Sequence, residues 1–199
     1  MQTGMNQKQL RRIESVTANY FFWQGLRWVP LGVALLLAIL IRAAQPVITV
    51  LLMAVALALS GAAGRYYQRT FGNVRAIPGR HVRRDRWKWF FVYPLMAASL
   101  IIDGRMPSAF FVTGPVWGAA IVAYWNSTGR GRLHYLVIAA IVAASGFAPA
   151  LGMIEPGKPM LNAFFVLLGV VYVIGGVLDH YELVRILGPL PEDHDAGTV

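Results

Sequence analysis

The residues able to do chemistry are few in this chain. The tightest group is Asp179 and His180 near the end of the last apolar stretch, with His134 at the start of the one before it. Two imidazoles and a carboxylate can hold a divalent metal, and two imidazoles alone can hold a haem iron. Histidine at a helix end serves equally well against the terminal carbonyls and the helix dipole, and Asp179 can pair with a basic neighbour. His134, His180 and Asp179 are therefore metal candidates with no metal assigned, and no cofactor is expected. A second group is the basic run Arg80, Arg83, Arg84, Arg86 and Lys88, inside a segment 65–88 with eight Lys or Arg and one acid, Asp85. Beside an anionic leaflet each such charge is worth about 1 kcal/mol, so the run can contact acidic headgroups or an acidic partner. It serves equally as a plain topology signal. Nucleic acid is not expected as a partner, because the segment is short and tied at both ends.

Asp103 and Asn162 are the polar intramembrane candidates, lying in or beside apolar stretches, as do Thr49, Ser99, Thr113 and Ser145. A charge in mid-membrane is a functional candidate by default. None falls there, which weakens a proton-coupled pump and leaves passage of an apolar molecule open. Catalytic patterns are missing: no HExxH, no GxSxG and no GxxxxGK[ST] occurs. With no Cys in the chain, disulfides, iron–sulfur clusters and thiol catalysis are excluded.

The elements that must position these residues are apolar. Of 199 residues, 57% are hydrophobic and 14% charged. A disordered chain needs the opposite balance, and a soluble globule needs more polar surface. The pattern predicts an all-α integral membrane protein, a six-transmembrane-helix bundle with spans near 20–41, 46–64, 89–105, 108–125, 133–153 and 159–179. A polar or interfacial segment 1–19 precedes the domain 20–187, the basic loop 65–88 faces the cytoplasm, and an acidic tail 188–199 is expected to be disordered. The third span has only about 14 apolar residues, about 21 Å at 1.5 Å per residue, so its helix must run through Asp103 and Arg105, thin the bilayer or be shielded.

Fifteen of the 18 Lys and Arg fall on one side of this layout, and the net charge of +9 is explained by that bias. The positive-inside rule then puts both termini in the cytoplasm. Most Trp and Tyr collect near the same inner boundary. Small residues mark helix contacts: Gly114 with Gly118, Ser60 with Gly64, Ala139 with Ala143, and Gly169, Gly175 and Gly176. Proline at 30, 94, 115 and 149 predicts kinks or breaks. Similar cues at alternate spans suggest three hairpins of parallel orientation, although interface belts alone produce such likeness.

The resulting reading is a non-enzymatic multi-pass protein of the plasma (inner) membrane, either a small transporter or the membrane partner subunit of a larger complex. Two alternatives stay open: a membrane enzyme or cofactor- or metal-binding protein using polar groups at the cytoplasmic face, and a sensor or regulator acting through the basic loop. The expected partners are the lipid bilayer, with anionic lipids, and a second copy or a separate subunit.

Overall fold

The computed structural model describes residues 20–41, 46–71, 80–106, 108–128 and 132–187. The segment 1–19 and the tail 188–199 lie outside the described residues. Every regular element among those described is helical. A one-turn helix Tyr20–Trp23 and a 3₁₀ turn Gly25–Arg27 lead into α1, Val29–Leu40. Then come α2, Pro46–Phe71; α3, Arg80–Arg105; α4, Thr113–Thr128; α5, His134–Ala144; and α6, Lys158–Leu187.

The helices differ from the apolar stretches for local reasons. The segment expected as one span over 20–41 breaks before α1, because Pro30 occupies its first turn and cannot donate a backbone bond to the preceding turn. The basic segment 65–88 is mostly not loop. Arg65 and Arg69 belong to the last turns of α2, and Arg80 to Lys88 form the first turns of α3. A helix needs no apolar residues once nucleated, so it continues past the end of the greasy stretch. The third helix does run through Asp103 and ends at Arg105. The fifth expected span, 133–153, is shorter: α5 ends at Ala144, passes through a 3₁₀ turn Ser145–Phe147, and gives way to turns up to Gly157. Pro149 has no backbone N–H to continue the helical hydrogen bonding. Gly152 (φ 68°) and Gly157 (φ 87°) then take left-handed conformations that reverse the chain into α6.

Two helices are long and apolar enough to cross a membrane, Val47–Phe71 within α2 and Lys158–Ile186 within α6. At 1.5 Å per residue α2 and α6 measure about 39 and about 45 Å, against a hydrocarbon core of about 30 Å. Only 6% of the apolar window of α2 is buried against the rest of the chain. That separates it from the core helix of a soluble globule. Gly25–Leu40 and His134–Phe147 are shorter apolar segments.

Packing is set by glycine. α1 and its leading turn lie on α6, where a Cβ on Gly176 would sit 2.6 Å from the Gly25 carbonyl oxygen and one on Gly32 2.6 Å from that of Gly169. α4 lies on α5 in the same way: a Cβ on Gly114 would come 2.6 Å from the Gly146 nitrogen, and one on Gly118 2.7 Å from the Ala143 Cβ. Gly114, Gly118, Ala139, Ala143, Gly169 and Gly176 are thus contact residues within one chain. The closest pair of helices, α1 and α6, is distant in sequence rather than a consecutive hairpin. Two apolar clusters complete the core. Tyr20, Trp23, Tyr67, Phe71 and Leu183 join the leading turn, α2 and α6, while Phe111, Ile138, Val142, Met160, Phe164 and Leu168 join α5, α6 and the approach to α4.

Because the obstacle at Gly176 is backbone, it cannot swing aside. Gly176→Ala should destabilise the protein by about 1–3 kcal/mol, the usual cost of overpacking. Gly61, where an added Cβ meets nothing within 4 Å, is the control. Gly61→Ala should be neutral or stabilising by up to about 1 kcal/mol. Denaturant unfolding in detergent micelles, followed by circular dichroism, measures both, and equal responses would refute the contact.

Candidate functional site

The described residues line a half-open cavity of about 310 Å³. Its wall is aromatic. Trp28 enters from the turn before α1, Trp89 and Tyr93 from α3, Trp117 and Tyr124 from α4, Tyr135 from α5 and Tyr172 from α6. Met96, Ile121, Ile138, Leu168 and Val171 fill between them, and among the described residues no Lys, Arg, Asp or Glu lines it. The rings contact one another in pairs. Trp28 stacks on Tyr172 at 6.1 Å with 17° between planes, Trp89 meets Tyr124 edge-on at 6.2 Å, and Tyr124 lies 5.2 Å from Tyr135. Trp117 donates its indole N–H to the Met96 carbonyl (3.3 Å), which ties α4 to α3. Gly175 leaves space on the α6 side, and its missing Cβ would meet only Ile138 Cδ1, at 3.7 Å. Tyr93 is 64% exposed while lining the cavity, so the mouth opens beside α3.

One helical turn beyond Gly175 and Gly176 stands Asp179, 1% exposed. Tyr135 donates its phenol O–H to Asp179 Oδ2 at 2.6 Å, and Arg132 Nη1 donates to the same oxygen at 3.2 Å. His134 Nε2 lies 3.2 Å from Asp179 Oδ1, at ion-pair distance when the ring is protonated. Arg132 is 1% exposed as well, and its guanidinium carbon lies 4.7 Å from the Trp23 ring, 4.9 Å from Tyr135 and 5.6 Å from Tyr124. Burial alone would lower its pKa, but Asp179 and the two phenols hold it above the ordinary value, so Arg132 is a permanent cation. Two buried charges are tolerable because they neutralise one another and find further donors and ring faces.

The sequence candidates are divided by this geometry. His134 and Asp179 come together, but His180 turns away. The Tyr67 hydroxyl accepts the Leu26 backbone N–H (3.1 Å) and shares a hydrogen bond with His180 Nδ1 (3.0 Å), whose direction the ring's tautomer sets. Among the described residues no three His, Asp or Glu gather as metal ligands. Asp103 is buried and accepts the backbone N–H groups of Val112 (3.1 Å) and Thr113 (2.7 Å), satisfying donors that the N-terminus of α4 leaves open. Its role is to cap one helix from another. Asn162 is exposed on α6 and has no part in the cavity. Arg80, Arg83, Arg84, Arg86 and Lys88 start α3, and their side chains lie outside those described. Arg132, the aromatic wall and the role of Tyr135 escaped the sequence reading.

Compared with protein-family models, with curated proteins and with solved structures, the chain finds no match in any of the three.

Removing half of a buried ion pair leaves the other half unpaired. Arg132→Met should cost about 3–5 kcal/mol, whereas Arg132→Met combined with Asp179→Asn should recover much of that loss. The four-member double-mutant cycle, read by unfolding in micelles, checks it. Purely additive losses would show that the two charges do not act as a pair.

Proposed function

We propose that this chain is a six-helix integral membrane protein with both termini in the cytoplasm. On this reading it is non-enzymatic and handles a small molecule within the bilayer, as a small transporter or as the ligand-bearing membrane subunit of a larger complex. The observation that carries the proposal is the aromatic cavity, with a mouth beside α3 and a wall drawn from α3, α4, α5, α6 and the turn before α1. Concave, mostly apolar cavities of about 300–1,000 Å³ between helices are the usual form of small-molecule sites. The membrane setting is supported by the apolar residues α2 and α3 expose, among them Val50, Leu51, Leu57, Phe90, Phe91 and Ile101. Contiguous apolar surface of this kind suits lipid and not water.

The short helices fit a bilayer because the irregular backbone around them is satisfied from within. Phe111 donates its N–H to the Gly146 carbonyl (2.9 Å), and Asp103 takes the next two. Non-helical backbone is tolerated at membrane depth only under such cover. Arg65 and Arg69, one turn apart near the end of α2, join the start of α3 at the cytoplasmic face, where anionic headgroups are their natural neighbours.

A reporter fused after Val199 or inserted at Asn73 should read as cytoplasmic, and tags at Gln45 and Gly157 as external. A periplasmic signal from Asn73 would overturn the six-span arrangement. The functional claim is tested by purifying the full chain from native membranes into lipid nanodiscs and analysing what accompanies it by mass spectrometry. A small molecule that is retained by the natural protein and lost from Gly175→Leu is expected. Equal recovery of every small molecule from both would end the claim.

A further inference from the structure

We propose that the cavity is selective for a neutral, planar, ring-bearing molecule over lipophilic cations and fatty acids. The inference rests on reading the cavity as a ligand site, and names the class of ligand. An aromatic wall by itself suits either a cation or a flat ring, since both are attracted to π faces. Charge decides between them here. Among the described residues no carboxylate lines the cavity, and the buried acid Asp179 is already engaged by Arg132 and by the Tyr135 hydroxyl. A desolvated organic cation would therefore lack a counter-ion, which is costly. Moreover, Arg132 already stacks on Tyr124 and Tyr135, so two of the wall rings carry a cation before any ligand arrives. A second positive charge against those rings would be repelled.

A fatty acid fails for other reasons. Its carboxylate would find no Lys or Arg among the described residues of the wall. Its flexible chain would lose many rotors on entering a space that a rigid molecule fills at little entropic cost. A flat neutral ring meets none of these penalties. The nearly parallel Trp28 and Tyr172 rings, with the edge-on pair Trp89 and Tyr124, offer the faces and edges that offset stacking and T-shaped contacts use.

The test uses the full chain in nanodiscs, with empty nanodiscs correcting for partition into lipid. Equilibrium dialysis compares 1-naphthol, tetraphenylphosphonium and palmitate. Saturable naphthol binding is expected, at least tenfold tighter than either competitor. It should weaken at least tenfold in Gly175→Leu, which fills the cavity from α6, and in Ala120→Phe, which fills it from α4. If one variant fails to fold, the other carries the comparison. Preference for the cation or the fatty acid at a site both fillings block would overturn the ligand class while leaving the cavity a ligand site. Absence of any binding that the fillings reduce, for all three probes, would overturn the cavity reading and the class with it.

Discussion

The end of the molecule that holds Arg132 and Asp179 depends on one backbone-to-backbone contact, between Gly25 and Gly176. A Cβ on Gly25 would collide with the Gly176 carbonyl and come within 2.7 Å of the Asp179 Cβ. With both side chains absent, the turn before α1 lies directly on α6. Three consequences follow from that closeness. Trp23 comes to rest over Arg132, Trp28 reaches Tyr172 to close the cavity, and the Leu26 N–H meets the Tyr67 hydroxyl. In lipid, helices gain nothing from burying apolar surface against each other, so association draws on dispersion and hydrogen bonds that fade quickly with distance. A methyl group at either glycine would loosen all three contacts at once.

The Arg132–Asp179 pair has a different task. Buried ion pairs contribute little net stability relative to apolar replacements, and their best-attested value is in specifying one arrangement over others. Here the pair fixes the start of α5 against α6. The helix α5 has only 11 residues, and it packs along its length on α4 at Gly118 and in the core through Ile138 and Val142. It is anchored at its ends as well, by Arg132 and Tyr135 to Asp179 at one and by Gly146 to Phe111 at the other. The carboxylate thus orients Tyr135, whose ring forms part of the cavity wall.

How much of this could be read from residues alone differs by feature. Helical class, the close contacts at Gly114, Gly118, Gly169 and Gly176 and the passage of α3 through Asp103 were legible, because composition and small-residue spacing report on them directly. The expected pair Ser60 and Gly64 marks no such close approach, since a Cβ on Gly64 would meet the Arg27 side chain at 3.6 Å. The breaks were less so. Pro30 and Pro149 announce that a helix is interrupted, but where it resumes depends on the partner helix. The metal reading of His134, Asp179 and His180 rested on shared depth, and depth says nothing about the roughly 100° between neighbouring side chains on a helix. That angle sends His180 to Tyr67 and Asp179 to Arg132. The cavity was illegible in principle. Its seven aromatic residues lie on five elements, and four of them, Trp28, Trp89, Tyr124 and Tyr135, look in sequence like an interfacial belt, which is how an aromatic near a span end is normally explained.

The way the helices pair also bears on how a ligand could enter. α1 with α6 and α4 with α5 are joined through glycine at backbone distance, so neither pair can part without losing its closest contacts. α3 is joined differently. Asp103 fixes its far end to the first turn of α4, while its nearer half meets its neighbours through the rings of Trp89 and Tyr93 and the Trp117 bond to Met96. Side chains can change rotamer where a glycine-packed backbone cannot yield. Phe90, Phe91 and Tyr93 are also largely exposed, so the outer face of α3 has little protein to displace. Among the described residues, then, α3 is the wall helix joined to its neighbours through side chains rather than through glycine at backbone distance. Its Pro94, which removes one backbone hydrogen bond next to the mouth at Tyr93, makes that stretch of α3 the easiest to bend.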